Sequence, residues 1–435
     1  MKILMVTYRF PPYNSIGAIR CGKMAKYLIE LGHEVKVLSC IDQPLPSTLE
    51  IEIPTKNIRY ANWWDINAPV NLLVNRKKDV TASLNSVGNK NTLKSKILNI
   101  LGSLYKILFH LPDGQIGWRR NAYREGLDII ATWKPDVIYA SAWPISSLIV
   151  ADKISQKSGI PWIGELRDLW TDNPYSDTPK WKKYIEKLWE KRLFSRAIGL
   201  TTISEHANDI LVSKFSKPTE IILNGYDEKD FEKINCSNDF ENIFTDNKIH
   251  ILYAGMIYPG RRDPTPLLKA ISLLSEKEKN KVTVHFYGNQ LEIVTELATK
   301  LNIEKNIVVN NPISHKNILY LQTKADYLLL LMWDNPDERG TFTGKFFEYV
   351  GANRPILCIG GADNPPAKVI QEHQMGYVLQ EPDEIKALIL DLINQKKEKG
   401  YIQNTRPFNS LGFTRKKQAA KLSTFLKDTI SDEKS

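Results

Sequence analysis

The chain has 435 residues, of which 42% are hydrophobic and 25% are charged. This composition excludes a disordered chain, and the length predicts two domains. The net charge of +10 suits an anionic partner such as a nucleotide, a diphosphate lipid or a membrane surface. No RNA- or DNA-binding motif accompanies the charge, so we expect no nucleic-acid partner.

The four cysteines are scattered and form no CxxC pair, which indicates reduced thiols rather than a disulfide framework or a metal site. The apolar run at residues 3–6 is too short for a signal peptide or a membrane span, and no run reaches about 18 apolar residues. We therefore expect a cytoplasmic protein, which could act as a peripheral protein on the inner face of the membrane.

Short buried strands alternate with helices along the chain. The first strand, helix and second strand cover residues 3–38, and a second set of strands begins at residue 249 after a polar stretch. This pattern predicts an α/β protein of two Rossmann-like domains that face each other across a ligand cleft. We assign residues 1–228 to the first domain, 229–410 to the second, and 411–435 to a crossover helix that packs back on the first.

Residues 60–118 interrupt this alternation and are predicted to be an insertion. Within it, residues 94–110 have the pattern of a basic amphipathic helix. Such a helix could lie on an anionic membrane surface, or it could pack against its own domain as most amphipathic helices do. Both interpretations stay open at this point.

The segment Thr343–Tyr349 combines a turn, a basic residue and an acidic residue at the start of an amphipathic stretch. A helix that begins there would offer free backbone N–H groups and a positive dipole to a phosphate. Glu348, one turn into the helix, could accept hydrogen bonds from the vicinal hydroxyls of a ribose. The segment therefore predicts a nucleotide-sugar site.

Four motifs occur in the order found in a known family. They are Phe10-Pro11-Pro12 with Gly17, Gly32-His33-Glu34-Val35, Asn224-Gly225-Tyr226-Asp227, and the segment from Gly344 to Pro355. Together they resemble retaining GT-B glycosyltransferases of family 4, which often build bacterial surface polysaccharides. The resemblance covers nearly the whole chain. It implies transfer of a sugar from a nucleotide-diphosphate donor to a hydroxyl of a glycan or lipid-linked acceptor, with retained anomeric configuration.

The resemblance implies donor-binding roles in both domains. Gly17 follows the first strand, where a bulky side chain would block a diphosphate. Met256 stands where the family has an arginine, so Arg261 is our first choice and Arg262 our second for gripping the donor phosphates. In the catalytic step, Arg261 would stabilise the departing negative charge.

Thr343, Gly344 and Lys345 would line the phosphates, and Glu348 would bind the ribose. The family's first acidic residue, eight positions before Glu348, is replaced by Gly340 in this chain. The contact to the donor sugar that this acid usually makes is therefore not carried over.

Arg167 and Asp168 follow a buried strand of the first domain, near the point where many family members have a histidine that contacts the donor sugar. Asp168 is predicted to orient a sugar or acceptor hydroxyl, and Arg167 to serve an anionic acceptor. The alternative is an ion pair between the two that caps the following helix. Asp113 and Trp118 are further acceptor-side candidates.

We expect neither a cofactor nor a metal ion. As the family implies, no side-chain nucleophile is needed, because the leaving diphosphate would itself take the acceptor's proton on the same face of the sugar. Fixed positive charge from Arg261 and Lys345 would replace a metal, and the chain has no DxD motif in a suitable loop. Two other interpretations stay open: a nucleotide-sugar epimerase of the same fold, and a non-catalytic sugar-nucleotide binding protein.

Overall fold

The computed structural model describes residues 1–66, 105, 110–173, 176, 178–232, 240–241, 243–258, 260–335, 342–402 and 408–434. The chain divides into two compact units. The first contains Met1–Leu223 together with Gln418–Ser435, and the second contains Asn224–Lys417. The sequence-based boundaries were 228/229 and 410/411.

The first unit is built on a parallel sheet of seven strands among the described residues. In chain order they are β1 Lys2–Thr7, β2 Glu34–Cys40, β3 Ile58–Ala61, β4 Val137–Ala142, β5 Trp162–Leu166, β6 Gly199–Thr202 and β7 Thr219–Ile221. Their spatial order is β3-β2-β1-β4-β5-β6-β7. Strands β4, β5 and β6 are buried along their whole length, as expected for a parallel sheet covered on both faces.

Helices cover both faces of this sheet. They are α1 Ile16–Glu30, α2 Arg119–Thr132, α3 Ser146–Ser158, α4 Lys180–Phe194 and α5 Glu205–Phe215. Helix α1 begins where the Ser15 side chain accepts a hydrogen bond from the Ala18 N–H. This cap places Gly17 inside the first turn of the helix.

The second unit has a parallel sheet of six strands in the part of the chain that the structure describes. They are β8 Ile249–Ala254, β9 Val282–Tyr287, β10 Ile307–Asn310, β11 Tyr327–Leu331, β12 Ile356–Ile359 and β13 Gly376–Val378. Their spatial order is β10-β9-β8-β11-β12-β13. Chain progression therefore reverses between β8 and β11.

The helices of the second unit connect these strands. They are α6 Glu228–Glu232, α7 Thr265–Ser272, α8 Glu276–Lys279, α9 Glu292–Lys300, α10 His315–Lys324, α11 Gly344–Ala352, α12 Pro365–Glu372 and α13 Pro382–Lys399. The two doubly wound parallel sheets confirm the predicted fold class.

The last helix, α14 Arg415–Lys434, returns the chain to the first unit. Its buried residues Ala419, Leu422, Leu426 and Ile430 join the apolar core beneath α1 and β1. The predicted packing of a C-terminal helix on the first domain is thus confirmed.

Two sequence-based expectations concern the insertion at residues 60–118 and the amphipathic helix within it. Strand β3 contains Tyr60 and Ala61, so the interruption predicted from residue 60 begins only after an edge strand that pairs with β2. The predicted amphipathic helix at 94–110 lies, except for Tyr105 and His110, outside the described residues. Across the described ranges, none of the helices combines the length and apolar character needed to cross a membrane.

Candidate functional site

The reversal between β8 and β11 makes the carboxyl edge of the second sheet a candidate ligand site. In open parallel sheets, ligands bind beyond the carboxyl ends of the strands at such a switch point. A crevice of about 230 Å³ lies at this edge. It is lined by residues that follow β8, β9 and β10, including Gly255, Gly288, Asn289 and Ile313, and by Ile318 of α10.

Gly255, directly after β8, allows the Lys345 side chain to approach the backbone at this edge closely. Its φ of +138° disfavours other residues, and a Cβ there would lie 2.3 Å from Lys345 Nζ. The predicted phosphate-binding lysine therefore stands against the backbone at the end of β8, next to the crevice.

The Lys345 amine is held in a desolvated position. Its Nζ donates a hydrogen bond of 2.9 Å to Tyr253 Oη and lies 4.2 Å from the centre of that ring. Burial and the nearby Arg262 guanidinium together lower the pKa of Lys345 to about 7, although the negative charge of Glu348 acts in the opposite direction. Such an amine gains a strong partner when an anion arrives.

The two adjacent arginines differ in their surroundings. The Arg262 guanidinium lies 5.0 Å from the centre of the Tyr258 ring and is close enough to lower the pKa of Lys345. Arg261 is exposed and stacks 4.7 Å from the centre of the Trp333 ring. Arg262, the second choice from sequence, is therefore the arginine that shares its environment with Lys345.

Helix α11 begins at Gly344, as the sequence predicted. Thr343 occupies the N-cap position in an extended conformation, but its side chain makes no capping hydrogen bond. Its Oγ1 is buried and has no hydrogen-bond partner among the described residues. The backbone N–H groups of the first turn are therefore not satisfied by the Thr343 side chain and point to where an anion would bind.

Glu348 stands one turn further along α11. His315 Nε2 lies 3.1 Å from its Oε1, and Gln322 Nε2 donates a hydrogen bond of 3.3 Å to its Oε2. Sequence reasoning missed His315 and Gln322, because single polar residues on a helix carry no periodic signal.

In the first unit, Gly17 and Arg167 meet at the carboxyl edge of the sheet. A Cβ at Gly17 would lie 2.7 Å from Arg167 Nη1, so a larger residue there would displace the guanidinium from its present position. Arg167 Nε donates a 2.6 Å hydrogen bond to the Ala142 carbonyl, and Nη2 donates a longer one of 3.4 Å to Trp143.

Arg9, which sequence reasoning did not select, lies at the same edge. It follows β1, and its guanidinium is 5.4 Å from the centre of the Tyr8 ring. Burial lowers the pKa of Arg9, and the positive charge of Arg167 contributes to the shift. Two like charges held near each other indicate a place that attracts an anion. The signal available from sequence was its position just beyond a strand end.

A buried ion pair between α1 and β5 lies next to this edge of the first sheet. Arg20 of α1 donates hydrogen bonds of 3.0 and 2.7 Å to Glu165 Oε1 on β5, and Tyr139 Oη donates one of 2.6 Å. Although burial opposes ionisation, the Arg20 guanidinium holds the pKa of Glu165 down to about 2. Arg20 also donates to the carbonyls of Ile222 and Leu223, which ties α1 to the end of β7.

The remaining first-domain candidates occupy different environments. Asp168 is exposed, and no ion pair joins it to Arg167 in the described structure, where the next helix begins only at Lys180. Asp113 is buried and accepts hydrogen bonds from the N–H and Oγ of Ser146, at the start of α3. Trp118 is fully buried, with its ring centre 5.5 Å from that of Tyr8. The Asp113 side chain thus binds the start of α3, and the Trp118 ring packs in the core of the first unit.

The first unit also contains a cavity, and basic side chains line it. It has a volume of about 560 Å³ and lies between α2 and α3, lined by Arg119, Arg120, Lys153 and Lys157 among others. No acidic residue belongs to its described lining.

Two further expectations concern the family's first acidic residue and a metal ion. Gly340, which replaces the family's first acid, lies outside the described residues. Among those that are described, no cluster of three or more His, Cys, Asp or Glu side chains could hold a metal ion.

The fold is that of a doubly wound α/β protein with a crevice at the carboxyl edge of its second sheet, beside β8, β9 and β10. A family model described as "Glycosyl transferase 4-like domain" matches residues 107–226, and one described as "Glycosyl transferases group 1" matches residues 237–407. A search of curated proteins found no match.

Several solved structures share the fold. Anabaena HepE, solved with UDP, has a TM-score of 0.61 at 13% identity, covering 98% of this chain and 100% of its own. Sucrose-phosphate synthase from Thermosynechococcus elongatus has a TM-score of 0.61 at 11% identity, with coverages of 99% and 100%. UDP-GlcNAc 2-epimerase from Methanocaldococcus jannaschii scores 0.53 at 11% identity, with coverages of 98% and 99%. The chain belongs to the glycosyltransferases of the GT-B, family 4 type.

Proposed function

We propose that the protein transfers a sugar from a nucleoside-diphosphate donor to a hydroxyl group, with retention of the anomeric configuration. The observation that carries this proposal is the start of α11, where the first-turn N–H groups that the Thr343 side chain does not cap, Lys345 and Glu348 lie within two turns. A diphosphate needs the first two, and a ribose needs the third. The crevice beside Gly255 would then receive the base. Complexes of the similar HepE with UDP and with UDP-glucose support this assignment.

In the proposed reaction, the bond between the anomeric carbon and the diphosphate breaks while the acceptor oxygen bonds to the same face of that carbon. The departing diphosphate accepts the proton of the acceptor hydroxyl. Lys345 and Arg262, with Arg261 beside them, stabilise the negative charge that develops on the leaving group. The proposal assigns this role to fixed positive charges and requires neither a cofactor nor a side-chain nucleophile.

For the acceptor we propose an anionic glycan or lipid-linked glycan. Arg9 and Arg167 at the carboxyl edge of the first sheet would bind its charged group, and Asp168 would orient its hydroxyl. The basic cavity between α2 and α3 and the net charge of +10 support a negatively charged partner. A role in bacterial surface polysaccharide synthesis at the cytoplasmic face of the membrane follows from this acceptor class.

A thermal-shift screen of UDP-, GDP- and ADP-sugars tests the donor assignment, because a bound donor raises the melting temperature by mass action. Glu348→Ala should weaken the affinity for the active nucleotide by at least about tenfold, since hydrogen bonds to a charged group are lost. The matched control is Glu292→Ala, which removes an exposed glutamate from the first turn of α9. Equal affinities in the wild type and Glu348→Ala would contradict the ribose assignment.

Nucleotide release separates the proposed activity from its rivals. A transferase releases nucleoside diphosphate in proportion to added acceptor, and the anomeric configuration of the product, read by NMR, reports retention. An epimerase would change the donor sugar without any acceptor, and a non-catalytic binding protein would leave the donor intact.

A further inference from the structure

Both oxygens of the Glu348 carboxylate already have a partner on the neighbouring helix α10. His315 is the first residue of α10, and Gln322 follows two turns later, so both side chains reach α11 from the same face. The distances are 3.1 Å from His315 Nε2 to Oε1 and 3.3 Å from Gln322 Nε2 to Oε2. One donor therefore fixes each oxygen.

Gln322 is fully buried, and its Oε1 has no hydrogen-bond partner among the described residues. The amide directs its Nε2 donor, rather than its acceptor, at Glu348 Oε2, which is the pairing that a carboxylate acceptor needs. Glu348 itself keeps 32% of its side chain exposed. Its outer side consequently remains accessible to a ligand.

A carboxylate has two acceptor positions on each oxygen. With one position on each oxygen taken by His315 and Gln322, one on each remains. Vicinal 2′- and 3′-hydroxyls of a ribose need two acceptors side by side. We propose that His315 and Gln322 are positioning residues that hold Glu348 in the rotamer in which both remaining acceptors serve a ribose. The inference rests on the proposed function and makes the site selective for ribonucleotides over 2′-deoxyribonucleotides.

The charges around His315 agree with this arrangement. The hydrogen bond and the negative charge of Glu348 raise the pKa of His315, and Asp230 of α6 acts in the same direction. Desolvation of the ring and the positive charge of Arg415 at the start of α14 oppose the shift, although 58% of the His315 side chain is exposed. An imidazole that hydrogen-bonds to the Glu348 carboxylate restricts the rotamers of Glu348 before any ligand binds. This restriction lowers the conformational entropy that Glu348 loses on binding.

The experiment compares dissociation constants for UDP, GDP and ADP with those for their 2′-deoxy counterparts, measured by calorimetry on the full-length protein. For the base that the wild type binds, the ribonucleotide should be preferred. His315→Ala should weaken ribonucleotide binding about five- to tenfold, roughly the value of one hydrogen bond, and should weaken deoxyribonucleotide binding clearly less, because only the 3′-hydroxyl remains to bind Glu348. His315→Gln, which keeps a donor, should recover most of the preference.

His206→Ala is the matched control, because His206 is an exposed histidine in the first turn of α5. A general structural defect in His315→Ala would weaken both nucleotides equally, and that result would overturn the positioning role, as would an unchanged ratio. If the wild type bound none of the three ribonucleotides, the proposed function would fail first, and the inference would fail with it.

Discussion

At the scale of single residues, Lys345 is the member of the Thr343–Tyr349 segment that we propose binds the donor diphosphate. Its neighbours Tyr253 and Arg262 leave the amine without an anionic partner in direct contact, and burial lowers its pKa to about 7. The lysine is therefore poised to take up a proton when a diphosphate binds. Tyr253 could not be selected from sequence, because it is one of several aromatic residues in buried strands.

Lys345→Met tests this role through pH. Above pH 7 the wild-type amine loses its proton, so binding of a nucleoside diphosphate should require proton uptake and weaken by up to about tenfold per pH unit. Lys345→Met should bind more weakly at pH 6.5 and should lack this component of the pH dependence. Calorimetric affinities from pH 6 to 9 provide the measurement. Parallel pH profiles for the two proteins would show that Lys345 does not bind the phosphates.

The same substitution has a predicted effect on stability. Because the folded-state pKa of Lys345 lies below its unfolded value, the unfolded chain binds more protons between about pH 7 and 10.5, and wild-type stability should rise with pH across that window. Lys345→Met should remove this rise and be at least as stable as the wild type near pH 7. Gain of stability with loss of binding is the pattern expected at a functional site.

At the scale of elements, strands β8 and β9 carry a buried histidine pair away from the proposed donor site. His250 Nδ1 lies 3.1 Å from His285 Nε2, and His250 Nε2 lies 2.8 Å from Asp246 Oδ1. Burial lowers the pKa of both histidines, that of His285 to about 4, and Nδ1 of His285 has no partner among the described residues. Protonation of His285 would therefore place an uncompensated charge in the sheet.

This pair predicts a loss of stability in acid. A histidine whose folded-state pKa is depressed contributes stability above its unfolded pKa, near 6.5, and that contribution is lost as pH falls toward 4. The cost attributable to His285 between pH 7 and 5 is about 2 kcal/mol. His285→Phe, beside Phe244, should reduce the acid-induced loss, as measured by urea unfolding at the two pH values. His206→Ala, at an exposed position, should unfold like the wild type, and an undiminished acid-induced loss in His285→Phe would contradict the assignment.

At the scale of the whole molecule, the chain leaves the first unit after Leu223 and returns at Gln418. The Leu223 N–H donates a 2.8 Å hydrogen bond to the Gln418 side chain, so the two crossing points lie side by side. Four apolar residues of α14 then enter the core of the first unit. The segment Gln418–Ser435 thus completes a domain whose other strands and helices all lie within Met1–Leu223.

Leu426→Ala measures this contribution. Leu426 is fully buried, so truncation should lower the free energy of unfolding of the first unit by about 2–5 kcal/mol through lost burial and the cavity left behind. Asp428→Ala, exposed on the same helix, is the control and should change it by less than about 0.5 kcal/mol. Urea unfolding followed by tryptophan fluorescence suits the measurement. A loss no larger than that of the control would show that α14 is dispensable for the first unit.

The sequence alone determined most of the central strands, the two doubly wound sheets and the start of α11, because buried parallel strands are short apolar runs and a helix start is a local feature. The edge strands β3 and β13 were missed, because they are short and only partly buried. Lys345 and Glu348 followed from their positions in that helix. Tertiary structure decided which distant side chains meet them: Tyr253 and Arg262 at Lys345, and His315 and Gln322 at Glu348. It also showed Arg9 beside Arg167 and the buried contacts of Asp113 and Trp118. These pairings depend on how strands and helices are ordered in space, and local patterns of hydrophobicity carry no information on that order.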